Sequence, residues 1–185
     1  LFFTIALLFA FTSYSQVVIN EIEADTPSAD DKEFVELKSV TPNFSLDGYV
    51  LVFFNGTTSG TGNLSYYAID LDSYITDVNG IIHFGNALVS PTPAILVVNA
   101  MIQNGPDVVA LYQGNDVDFP LNTAATNVGL IDALAYSNSA TIQPTTLMTT
   151  FGLTTCVNEN EGSAAATKSI QRKNDGTYEV KTPTP

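Results

Sequence analysis

The chain has 185 residues, 45% of them hydrophobic, with 11 Phe, 8 Tyr and no Trp, which suits one domain with one sizeable core. Only 14% of residues are charged and the net charge is −13, with no Lys or Arg between Lys38 and Lys168; phosphate binding needs cations to displace counterions, so a nucleic acid partner is not expected. The single Cys156 excludes an intrachain disulfide framework.

Leu1 to Phe11 is apolar except for Thr4, and Thr12-Ser13-Tyr14-Ser15 follows before Gln16. An apolar run ending in small residues at Ser13 and Ser15 reads as residues 1–15 of a signal peptide whose own start is missing. The competing reading is a buried first strand. The run is shorter than the ~20 residues a membrane span needs, so no transmembrane segment is expected. Export to the cell exterior or surface follows, and the lack of disulfides favours a bacterial source.

From residue 16 to 181 short β-rich runs alternate with turn chemistry. Strands are predicted near Val17–Glu23, Glu33–Ser39, Tyr49–Asn55, Ser65–Leu71, Gly80–Phe84, Ala94–Asn99, Asp107–Tyr112, Val128–Tyr136, Lys168–Lys173 and Thr177–Lys181. Asp47-Gly48, Asn55-Gly56, Asn79-Gly80, Asn104-Gly105-Pro106 and Asp175-Gly176 punctuate them. No stretch keeps a helical period for three turns, so the expected fold is all-β, a sandwich or barrel. Ile19 and Ile22 are three apart and reach one face only if a bulge intervenes near Asn20-Glu21. Tyr49 to Phe54 is apolar on both faces, which predicts a strand buried on both sides. Segments 122–127 and 144–162 read as loops, and Thr182-Pro183-Thr184-Pro185 as the start of a linker.

Several motifs together carry a resemblance. Val18-Ile19-Asn20-Glu21-Ile22 and Glu33-Phe34-Val35-Glu36-Leu37 are followed by Leu46-Asp47-Gly48-Tyr49-Val50-Leu51. Then come Asn104-Gly105-Pro106-Asp107-Val108-Val109-Ala110-Leu111-Tyr112, Leu130-Ile131-Asp132-Ala133-Leu134-Ala135-Tyr136 and Ser169-Ile170-Gln171-Arg172. In this order they resemble the lamin tail domain, in its exported bacterial branch. The resemblance implies an immunoglobulin-like β-sandwich at the cell exterior, often a non-catalytic companion of secreted enzymes. The third-strand Trp of nuclear lamins is absent, with Tyr49 nearby, and so is the basic surface invoked for chromatin contact.

Chemistry-bearing residues are few. His83 is the only histidine and no Gly-x-Ser-x-Gly elbow surrounds a serine, so a strand histidine is the preferred reading. Asp70/Asp72 and Glu21/Glu23 are i, i+2 carboxylate pairs of the kind a glycoside hydrolase uses. Asn20 and Glu36 are polar within apolar strands and are expected to bond to each other. Asp25, Asp30 and Asp31 crowd the first loop, and calcium, which takes oxygen ligands, is the one cofactor they suggest; a solvated acidic loop is the alternative. The function expected is a secreted, non-catalytic binding or scaffolding module for an extracellular protein or polysaccharide. The rival is a stand-alone extracellular hydrolase working through a carboxylate pair.

Overall fold

A computed structural model describes residues 16–57, 60, 62–161 and 166–185; the signal-peptide segment 1–15 lies outside them. The strands are β1 (Val17–Glu23), β2 (Phe34–Ser39), β3 (Tyr49–Asn55), β4 (Ser65–Asp70), β5 (Ile81–Gly85), β6 (Ile95–Leu96), β7 (Asp107–Gln113), β8 (Leu130–Ser137), β9 (Cys156–Asn158), β10 (Ser169–Arg172) and β11 (Tyr178–Lys181). One helix, α1 (Thr145–Phe151), precedes β9. They form a six-stranded sheet in the order β11-β10-β1-β2-β5-β6 and a five-stranded sheet in the order β4-β3-β7-β8-β9. The protein is an all-β sandwich. No helix among the described residues is long and apolar enough to cross a membrane.

Alternation along the strands builds the core between the sheets. Val17, Ile19, Ile22, Val35, Leu37, Ile82 and Ile170 from one sheet meet Leu51, Phe53, Val109, Leu111, Leu134 and Tyr136 from the other. The β1–β2 register shifts between Ile19 and Glu21. That bulge lets both Ile19 and Ile22 point inward, as their spacing requires. The extra residue, Asn20, donates its side-chain amide to Glu36 Oε1 at 2.5 Å and ties the two strands together.

The two outer faces differ, and this decides where a site can lie. On the five-stranded sheet the outer face is itself apolar. Val50, Val52 and Phe54 of β3 join Val108, Ala110 and Tyr112 of β7, covered by Phe119 and by Leu147, Met148 and Phe151 of α1. Phe151 packs on Phe54 with ring centroids 5.4 Å apart, and each such burial contributes about 1.5–3 kcal/mol. So β3 is buried on both sides, as its pattern predicts. Gly56 sits where this layer closes, since an added Cβ would meet Pro106 O at 2.2 Å and Pro144 Cβ at 2.3 Å.

Two expectations need correction. Segment 144–162 is not all loop, because it holds α1 and β9. The strand predicted over Ala94–Asn99 shrinks to Ile95–Leu96, which pairs in parallel with β5. The Asn86 amide donates to the carbonyls of Val97 (3.3 Å) and Val98 (3.0 Å), replacing a strand partner and ending the ladder.

Candidate functional site: a trough on the six-stranded sheet

Among the described residues no helix covers the outer face of the six-stranded sheet, and its middle is polar. Gln171, Glu21, Glu36 and His83 are successive cross-strand partners on β10, β1, β2 and β5. Directly opposed side chains in antiparallel strands lie ~5 Å apart at Cβ, so these residues form one row across four neighbouring strands. Glu23 stands two residues from Glu21 on the same face. Glu21, Glu23, Glu36 and His83 are all buried.

Burial sets the chemistry of this row. Glu36 is pushed up to about 7 by desolvation, against the hydrogen bond from Asn20, with the Glu21 charge raising it further. Glu23 is pushed up to about 8, first by burial and then by Glu21. Lys32 pulls Glu23 down and Lys38 pulls Glu36 down, but less than burial raises them, and a desolvated carboxyl favours its neutral form. His83 Nε2 lies 2.9 Å from the Pro91 carbonyl, and its ring meets Phe34 edge-on at 6.3 Å.

Segment 182–185 lies over the row. The Thr184 amide donates to Glu21 Oε1 and the Thr184 hydroxyl to Glu21 Oε2, each at 2.8 Å. Gln171 Nε2 donates to the Thr182 carbonyl at 2.8 Å. Hollows open on either side of this strap. One, of about 500 Å³, is lined by Glu36, Ile81, His83, Pro91, Ala94 and Pro185, among others. The other, of about 390 Å³, includes Glu23, Lys32, Phe34, Leu88, Pro183 and Pro185 in its lining. Pro185 belongs to both, so the hollows are two parts of one trough.

The other sequence-predicted residues lie elsewhere. Asp25 Oδ1 accepts the Asn104 amide at 2.9 Å, and its Oδ2 accepts those of Asn138 (3.3 Å) and Asn160 (2.7 Å). Asp30 Oδ1 accepts the Thr26 amide at 2.9 Å. Among the described residues no group of three or more His, Cys, Asp or Glu is placed to hold a metal ion. The local reason is that Asp25 points at side-chain amide donors, which a cation would have to displace. Asp70 and Asp72 brace a turn, with Asp72 N bonded to Asp70 Oδ1 (2.9 Å) and Gly48 N to Asp72 Oδ1 (2.6 Å). Cys156 is half-buried in β9, and burial raises its thiol to about 11, so little reactive thiolate forms.

A third hollow lies between the sheets' edges, where Arg172 Nη1 meets Asp132 Oδ2 at 2.9 Å beneath Thr154 and Tyr178. Its cation is already paired. Sequence reasoning found the pair Glu21/Glu23, the pair Asn20/Glu36 and the lone His83 but missed Gln171 and the trough, because only strand order brings them together. Comparison with protein-family models finds no match, and comparisons with curated proteins and solved structures find none either.

Proposed function

We propose that this chain is a non-catalytic binding or scaffolding module of the cell exterior, with the trough as its working surface. The observation that carries the reading is that a peptide segment, 182–185, already lies there, hydrogen-bonded to Glu21 and Gln171. The polar groups beneath it are engaged internally: Glu36 with Asn20, and His83 with the Pro91 carbonyl.

Strand order supports an immunoglobulin-like, lamin-tail-type assignment. β1, β2 and β5 share one sheet while β3, β7 and β8 share the other, matching strands A, B and E against C, F and G of that fold. The ordered motifs of the sequence support the same family. The apolar run Leu1–Phe11 and the lack of paired cysteines support export.

One observation favours the hydrolase as a second reading. Glu36 faces Glu21 across the strand pair and is raised to about 7, the range of a general acid. The test is to present the protein with panels of extracellular polysaccharides and peptides, measuring retention and cleavage together. The binding reading expects a ligand retained and recovered intact, with no cleavage product from the wild type or from Glu36→Gln. Cleavage abolished by Glu36→Gln in a folded protein would replace it with the hydrolase.

A further inference from the structure

The row under the strap does more than hold segment 182–185; its geometry reads a particular kind of segment. Glu21 is fixed before any peptide arrives, because Ser169 Oγ (2.6 Å) and Gln171 Nε2 (3.2 Å) of the neighbouring strand both donate to its Oε1. The carboxylate then takes two donors from one residue, the amide and the hydroxyl of Thr184. Gln171 takes the carbonyl of Thr182, two residues earlier. The residue between, Pro183, has no amide hydrogen to leave unpaired, and its ring lines the hollow with Phe34 and Leu88. Pro185 bridges that hollow to the one beside His83 and Pro91.

We infer that the trough is a receptor for extended Pro-Thr-Pro segments, and that residues 183–185 occupy it as an internal copy of the ligand. The inference rests on the trough being a binding surface and adds the class of partner: an exported chain carrying proline on both sides of an unmodified Thr or Ser. A residue before proline is confined to extended backbone. A Thr-Pro-Thr-Pro segment therefore has few backbone shapes to give up on docking. The paired donors to Glu21 set the selectivity. Valine keeps the shape but loses the hydroxyl. Phosphothreonine loses the donor and sets a second negative charge against a row of carboxyls.

The test uses the full chain and a synthetic acetyl-Lys-Thr-Pro-Thr-Pro-Thr amide followed by amide chemical shifts. In Thr184→Asp, whose own 182–185 segment is repelled from Glu21, the peptide is expected to shift the amides of Ser169–Arg172 and Val17–Glu23. Thr184→Ala, a milder release, is expected to respond in the same place. The wild type binds about tenfold more weakly, because its own 182–185 segment competes. A peptide with Val for the central Thr binds about tenfold more weakly than the parent, the scale of one hydrogen bond to a charged group, and the phosphothreonine peptide gives no shift. The inference is overturned if the peptide moves no trough amide in either variant, or if the Thr and Val peptides bind alike. A polysaccharide that binds the trough while these peptides do not would sink this inference alone and leave the binding reading intact.

Discussion

The melting temperature is expected to be highest near about pH 4.5 and to lie more than about 10 °C lower at pH 8. The reason is the number of carboxyls whose burial outweighs the pull of any nearby lysine, as Lys32 on Glu23 and Lys38 on Glu36. Glu23 and Glu33 are raised to about 8, Glu36 and Asp107 to about 7, and Glu159 well above its ordinary value, with burial the leading cause in each. Unfolded, these groups lose their protons near 4.5 for Glu and 3.8 for Asp. Between those values and about 7–8 the folded state binds more protons than the unfolded one, so its stability falls as pH rises. Each group held protonated contributes a slope of about 1.4 kcal/mol per pH unit, and two acting fully would lower the melting temperature by roughly 11–22 °C over two units at ~2–4 °C per kcal/mol. Asp47, Asp77 and Asp175 have the opposite sign: backbone or side-chain hydrogen bonds lower them, so what they contribute is lost as pH falls below about 4. Net charge alone also disfavours high pH in so acidic a chain. Glu33→Gln separates the causes, because removing one buried titrating group makes the fall with pH shallower, whereas general repulsion would leave its slope almost unchanged. A melting temperature that is flat or rises from pH 5 to 8 would refute this account of the buried carboxyls.

Glu159→Ala is expected to be among the most damaging single substitutions, at about 2–5 kcal/mol. Glu159 is fully buried. Its Oε1 accepts the Ala24 amide at 2.7 Å and its Oε2 the Asp25 amide at 3.1 Å, while its own amide donates to the Ser137 carbonyl at 2.8 Å. One side chain thus joins the segment after β9 to the exit of β1, the strand that carries Glu21 and Glu23. Truncation orphans the Ala24 and Asp25 amides and leaves a cavity. Glu159→Gln keeps a carbonyl for Ala24 but turns an NH2 toward the Asp25 amide, so it should recover only part of the loss. Urea midpoints of the variants at one pH check this; a loss below about 0.5 kcal/mol for the alanine variant would mean the staple is unimportant.

Much of the sandwich was legible because its strands alternate cleanly. The bounds of β1 and β3 follow from local pattern, the bulge follows from Ile19 and Ile22, and the two apolar faces of Tyr49–Phe54 announce a sheet covered on both sides. The cover itself was not legible. Helix α1 has the buried residues Leu147, Met148 and Phe151, but over so few turns, and among threonines, their spacing does not rise above a loop. Strand β9 is short and sits at an edge in parallel with β8, so no hairpin signal marks it. The candidate site was legible only in pieces. Asn20 with Glu36 can be paired from their polarity within apolar strands. The row from Gln171 to His83 depends on β10 lying beside β1 and β5 beside β2, a long-range order that no local period encodes. The strap at 182–185 reads as a linker because Thr and Pro report only that a segment is extended, not what it lies against.

The central claim is that the trough beside the Glu21–Glu36–His83 row is the surface this protein works with. Ala94 is exposed at its rim, lines the hollow shared with His83 and Pro91, and spends only its backbone amide on the His83 carbonyl. Ala94→Arg therefore fills the hollow without disturbing the sheet. The decisive measurement is the binding isotherm of any ligand the wild type retains, repeated with Ala94→Arg and accompanied by its melting curve. The account predicts binding lost by at least about tenfold with the melting temperature unchanged, a difference of roughly 1.4 kcal/mol; binding that persists at wild-type strength with the hollow filled would contradict it.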